Sequence, residues 1–122
     1  LAKHWVDLPN RERIRIHLNW LGAVVVAYEP RSHPNQVHVL TSVVGQGQFW
    51  GMNLFEFLQK NGMGKDCVPS PHDFEFLGHR LRMEATMQDY ALFGFIPMPA
   101  WFVQAVAVTL WVDGTRYRDF VL

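Results

Sequence analysis

Arginine carries most of the positive charge of this chain, and its spacing has chemical consequences. Eight of the eleven basic side chains are Arg, and seven fall in sets spaced by two: Arg11/Arg13/Arg15, Arg80/Arg82 and Arg116/Arg118. On a strand, that spacing keeps a set on one face. Guanidinium offers a planar fork to phosphate or carboxylate and stacks on aromatic rings, whereas a lysine ammonium acts more as a hydrated point charge. If the strands that carry them are neighbours, Arg13, Arg15, Arg80, Arg82, Arg116 and Arg118 pool into one cationic sheet face. Trp111 then serves as a stacking platform, a combination suited to single-stranded nucleic acid. The expectation is a non-enzymatic binding domain that engages a phosphate-bearing partner, nucleic acid foremost. The competing explanation is solvation: strand faces turned to water need charge, and Glu12, Glu84 and Asp119 are available as ion-pair partners.

Other constellations are thinner. Cys67, His72 and Asp73 offer a nucleophile, a base and an orienting carboxylate, but sequence order does not establish contact, and no protease signature surrounds them. His33 and His38 are the nearest histidine pair to a metal half-site, and no second ligand set follows at a known spacing. No catalytic set, metal or cofactor is therefore expected. Trp20, Phe49, Trp50, Phe55, Phe74, Phe76, Trp101 and Phe102 either line an apolar cavity or fill the core, and filling is the default. The bare segment holding Phe93, Phe95, Ile96, Met98 and Trp101 suggests an alternative function, that of a structural or assembly subunit docking on a protein partner or a second copy.

Composition sets the bounds. With 122 residues, 49% of them hydrophobic and 18% charged, the chain can bury enough apolar surface to fold, and residues 1–122 read as a single compact domain. Eleven basic and eleven acidic groups cancel, so attraction to a polyanion must come from a local patch. One cysteine excludes an internal disulfide and favours a reducing compartment, so a cytoplasmic location is expected. The chain opens on Leu1 with no basic, apolar leader, which reads as a processed, trimmed or truncated end. The 22 residues from Ala91 to Val112 carry no charge, but Pro97, Pro99 and Gln104 interrupt them, and alternation from Val106 to Val112 suits a strand better than a membrane span.

The elements that must position these groups are mostly strands. Ile14, Ile16, Leu18 and Trp20 alternate with Arg13, Arg15, His17 and Asn19, and the valine run from Ala23 to Tyr28 suits a strand buried on both faces. Val37 to Val44 is β-prone, and Gly45, Gly47 and Gly51 mark a bend. Asn53 caps a short helix that runs through Lys60 and stops at Asn61-Gly62. Lys65 to Asp73 reads as an irregular connection, and Phe74 to Met87 as an alternating stretch with a bulge at Gly78. Asp113-Gly114 predicts a two-residue hairpin that sets Trp111 opposite Arg116, Leu110 opposite Tyr117 and Thr109 opposite Arg118. A short helix over Lys3 to Leu8, ended by Pro9, completes the expectation. The fold class is mostly β, a small antiparallel barrel or strongly curled sheet with one or two short helices.

Arg11 and Arg15 stand four apart just before and within the first alternating strand, and Ser42 precedes Gly45 by three. This pattern resembles that of PilZ domains, small barrels that carry Arg-x-x-x-Arg near the first strand and Asp/Asn-x-Ser-x-x-Gly downstream. Leu40 occupies the position of the family's acid or amide. The resemblance covers Arg11 to Gly45 and implies a further alternative, a PilZ-like receptor for a cyclic dinucleotide.

Overall fold

Period-two alternation builds the first sheet of the computed structural model, which describes residues 3–9, 11–49, 51–87, 91–92, 96–97 and 106–122. Strand β1 (Lys3–Asp7) turns Val6 inward and leaves Lys3, Trp5 and Asp7 exposed. Strand β2 (Arg13–Leu18) buries Ile14, Ile16 and Leu18, and β3 (Val24–Tyr28) is buried on both faces from Val24 to Ala27. Strand β4 (His38–Val44) ends in the buried pair Val43 and Val44. The helix expected over Lys3 to Leu8 is thus a strand. Val6 and Leu8 are two apart and both buried, and pairing with β2 satisfies the backbone groups that so short a helix would leave open.

Strands β5 (Gln48–Phe49) and β6 (Met52–Asn53) form a small hairpin before helix α1 (Leu54–Lys60). Asn53 caps the helix as expected, its Oδ1 accepting from Phe55 N–H at 2.9 Å and Glu56 N–H at 3.3 Å. Leu54 and Leu58 pack with Leu21, Ala23, Val44 and Met87 in a satellite cluster. The stretch expected to be irregular instead contains β7 (Val68–Pro69), which pairs parallel with β4, and the start of β8 (His72–Phe76). Strand β9 (His79–Met87) pairs antiparallel with β8, β10 (Ala91–Leu92) pairs with β11 (Ile96–Pro97), and β12 (Val106–Val112) pairs with β13 (Thr115–Val121).

Two hairpin tips explain two differences from expectation. Leu77 (φ 47°) and Gly78 (φ 81°) form a reversal between β8 and β9, so Phe74 and Phe76 are out of step with Leu81 because they lie on another strand, not because a bulge interrupts one. Asp113 (φ 50°) and Gly114 (φ 82°) make the expected turn and place Trp111 opposite Arg116. Beyond it the register shifts between Leu110 and Trp111, so Leu110 faces Arg118 and Thr109 faces Asp119, one residue off the expected pairs.

The strands form two main sheets, ordered β1-β2-β3-β4-β7 and β13-β12-β9-β8. Their apolar faces share one core in which Ile14, Ile16, Val24 and Val26 join Leu81, Met83, Val108 and Leu110. Along one side the sheets are joined by backbone: Gln46 N–H donates to Ala85 O, and Met87 N–H donates to Gln46 O, both at 2.8 Å. The crossing favours glycine, because a Cβ on Gly45 would stand 3.3 Å from Met87 N, a tight approach to backbone. On the other side, His4 stacks on Phe120 at 4.8 Å, and the Tyr117 hydroxyl donates to the Asp7 carbonyl. The result is a mostly β, strongly curled architecture with one short helix among the described residues. No helix among them is long and apolar enough to cross a membrane, and β12 alternates buried and half-buried positions as its sequence predicts.

Candidate anion-binding face

The outward side of the five-stranded sheet is ordered in cross-strand rows. Lys3 of β1 stands opposite His17 of β2, which stands opposite Val25 of β3, which stands opposite Ser42 of β4. The next row runs Trp5, Arg15, Ala27 and Val39, and the third begins with Asp7 and Arg13. The Arg13 guanidinium lies 4.3 Å from the centre of the Trp5 ring, a cation–π contact, and Trp5 remains 44% exposed. Arg15 Nε and His17 Nδ1 are both buried without a hydrogen-bond partner. Burial, then the charges of Arg15 and Lys3, hold the His17 imidazole below its ordinary pKa. The stretch that builds β1 to β4 also carries a positive excess, with five Lys and Arg against three Asp and Glu in residues 1–45. Of those acids, Glu12 accepts a 2.8 Å hydrogen bond from the Tyr28 hydroxyl, which raises the phenol pKa.

The outward side of the four-stranded sheet has a different balance. Trp111 of β12 stands between Arg82 of β9 and Arg116 of β13, so one arginine of each set shares this face, while the register shift sets Arg118 opposite the buried Leu110. A groove of about 680 Å³ runs over Arg80, Arg82 and Trp111, with Asp73, Glu75 and Glu84 also in its lining, and neither Arg116 nor Arg118 belongs to that lining. Carboxylates occupy the same rows. Arg82 pairs with Glu84 at 3.1 Å and Asp73 at 3.5 Å, and Arg116 pairs with Asp119 at 2.7 Å. Hydrogen bonds from Thr109 and Arg116 hold Asp119 below the usual carboxylate pKa. Arg118 stands opposite Leu110, with its guanidinium 5.1 Å from the Tyr117 ring centre. Trp111 Nε1 is buried and unpartnered.

The three arginine sets therefore do not pool on one plane. Strand β2 pairs with β1 and β3, which places Arg13 and Arg15 on one sheet, while β9 and β13 flank β12 in the other. Arg11 leaves its set altogether. It lies in the β1–β2 turn at φ 66°, where its N–H donates to Leu8 O at 3.0 Å. Lys3 and Trp5 join the face although the arginine pattern does not include them. The signal for them was present, since Lys3, Trp5 and Asp7 alternate with the apolar side chains Val6 and Leu8.

The remaining candidates are dispersed. The Cys67 thiol is pushed up in pKa by burial and by Asp66, which weakens it as a nucleophile. His72 stacks on Phe74, Asp73 is engaged by Arg82, and no hydrogen bond joins Cys67 to either of them among the described residues. No three His, Cys, Asp or Glu side chains among the described residues stand together as a metal set. Phe76 is buried and Phe74 packs on the core, whereas Trp20 is 67% exposed. Phe93, Phe95, Met98 and Trp101, expected to dock on a partner, lie outside the described residues; Ile96 opens β11 opposite Leu92. Of the PilZ-like positions, Arg15 and Ser42 share the outer face of the five-stranded sheet, and Gly45 sits where β4 crosses to β9. Compared with known proteins, the chain matches no family model, none of the curated proteins and none of the solved structures.

Proposed function

We propose that this chain is a binding domain whose five-stranded sheet receives a phosphate-bearing ligand, single-stranded nucleic acid foremost, on its outward face. Lys3, Arg13 and Arg15 are the cation donors, and Trp5 is the stacking platform. The observation that carries this reading is Arg15 Nε, a buried donor without an acceptor in a row that contains no carboxylate. Leaving such a group unpaired costs about 1–3 kcal/mol, and a phosphodiester oxygen is a charged acceptor of the kind a guanidinium pairs with. Arg82 and Arg116 answer instead to their own carboxylates, so the four-stranded face is assigned a smaller part. The lone cysteine fits a cytoplasmic partner.

The test is fluorescence anisotropy of a labelled ten-nucleotide oligo-dT across a salt series. Three phosphate contacts on a single strand give a slope of log K against log salt of about −2. Arg15→Met combined with Arg13→Gln is expected to weaken binding about tenfold or more, and Arg80→Gln about twofold or less. Absent or salt-insensitive binding, or equal losses from both faces, would overturn the assignment. Because Arg15 and Ser42 share this face, cyclic di-GMP is the second ligand to titrate. Tight binding of it with no affinity for oligo-dT would favour the PilZ-like receptor.

A further inference from the structure

His17 is set among cations and apolar groups by every strand beside it. Along the chain its nearest outward neighbours are Arg15 of the same strand and Asn19 just past the strand's end, and the Asn19 carboxamide oxygen is committed to Leu21 N–H and Ala23 N–H at 3.0 and 2.9 Å. Across β1 stands Lys3, with Trp5 in the next row; across β3 stands Val25, and beyond it Ser42 of β4. Strands β2, β3 and β4 contain no acidic residue, and the one acid of β1, Asp7, is two rows away opposite Arg13. Nothing in these rows stabilises an imidazolium, and the buried Nδ1 has no partner.

A phosphate lying over Lys3 and Arg15 reverses that balance. It supplies the missing negative charge and an acceptor oxygen beside the ring. We propose that ligand binding on this face is coupled to uptake of one proton by His17, so that affinity for phosphate-bearing ligands rises as the solution is acidified. This deepens the function proposed above and rests on it. Because the free ring is held toward its neutral form and the bound ring is not, the two states differ in proton occupancy over the mildly acidic range. Linkage then requires ligand and proton each to strengthen the other. One fully coupled proton changes affinity at most about tenfold per pH unit, and partial occupancy gives an expected gain of about three- to tenfold from pH 7.5 to pH 5.5.

The experiment is calorimetric titration of the whole chain with ten-nucleotide oligo-dT at pH 6.5 in two buffers of different ionisation enthalpy, with the affinity also measured at pH 7.5 and pH 5.5, all repeated with His17→Gln. The two-buffer difference reads the protons taken up, expected at about one half to one per oligonucleotide. In the variant this uptake should vanish and the affinity profile flatten, while circular dichroism verifies that the variant folds. The other histidines serve as internal controls, because any contribution from them survives the substitution. Binding with no proton uptake, or uptake that persists in His17→Gln, overturns the coupling and leaves the binding face standing. No binding of oligo-dT at either pH overturns both.

Discussion

Arg15 combines two opposing contributions in one side chain. It stands opposite fully buried Ala27, where an aliphatic stem has a packing role, while its Nε is removed from water with nothing to accept its proton. Splitting the two gives a prediction. Arg15→Met retains the stem and deletes the orphan donor, so its stability in urea denaturation should equal or exceed that of the native chain. Arg15→Ala removes both and should fall about 1 kcal/mol below. A Met variant as unstable as the Ala variant would mean that the guanidinium is satisfied in the free protein, and the argument for a phosphate there would lose its basis. The arginine pattern singled out this residue, but its neighbours could not be read from it. A donor becomes costly only when its surroundings exclude water, and those surroundings belong to β1 and β3.

Hairpin tips show how far local signals reach at the scale of elements. Asp113-Gly114 was legible because both residues tolerate positive φ and flank two alternating runs. Leu77-Gly78 makes a similar reversal with a residue poorly suited to it: Leu77 is held at φ 47° with 54% of its surface exposed. Leu77→Asn should therefore raise stability by about 0.5–1 kcal/mol, since Asn accepts the left-handed region and an exposed leucine contributes little packing. A melting temperature that drops in this variant would show that Leu77 makes a contact the turn depends on. Without a conformational signature at Leu77, a glycine inside an alternating stretch reads as a bulge. The same limit hid β1, whose pattern spans too few residues to separate a strand from a helical turn until β2 pairs with it.

Over the whole molecule, two carboxylates tie the second sheet together, and their titration sets its acid limit. His79 Nδ1 and Asp113 Oδ2 are 2.6 Å apart, and Arg80 N–H donates to Asp113 Oδ1 at 2.9 Å, joining β9 to the β12–β13 tip. These hydrogen bonds, from His79 and then Arg80, hold Asp113 below the usual carboxylate pKa, as Thr109 and Arg116 do for Asp119. A group whose pKa is lowered by folding contributes stability that is complete above its unfolded value, about 3.9, and is lost as pH falls through the lower folded value. In a His17→Gln background, which removes the loss that the lowered His17 pKa adds below about pH 6.5, thermal melts should therefore hold steady above about pH 5 and fall below about pH 4. The fall should be shallower in Asp113→Asn, whose side chain keeps the positive φ of the turn. An unchanged acid limb in that variant would remove Asp113 from the account.

Local signals alone determined that the chain is mostly β, by period-two alternation, where Asn53 starts a helix, by capping, and where Asp113-Gly114 reverses direction, by tolerance of positive φ. These follow from side-chain geometry within a few residues, so no distant partner is needed to read them. Which arginines stand together was decided only when β2 paired with β1 and β3 while β9 and β13 flanked β12. Strand order depends on contacts between residues far apart in the chain, made through a shared core and the Gly45–Met87 crossing. A two-residue spacing states which face of a strand a side chain is on, and is silent about which strand lies beside it.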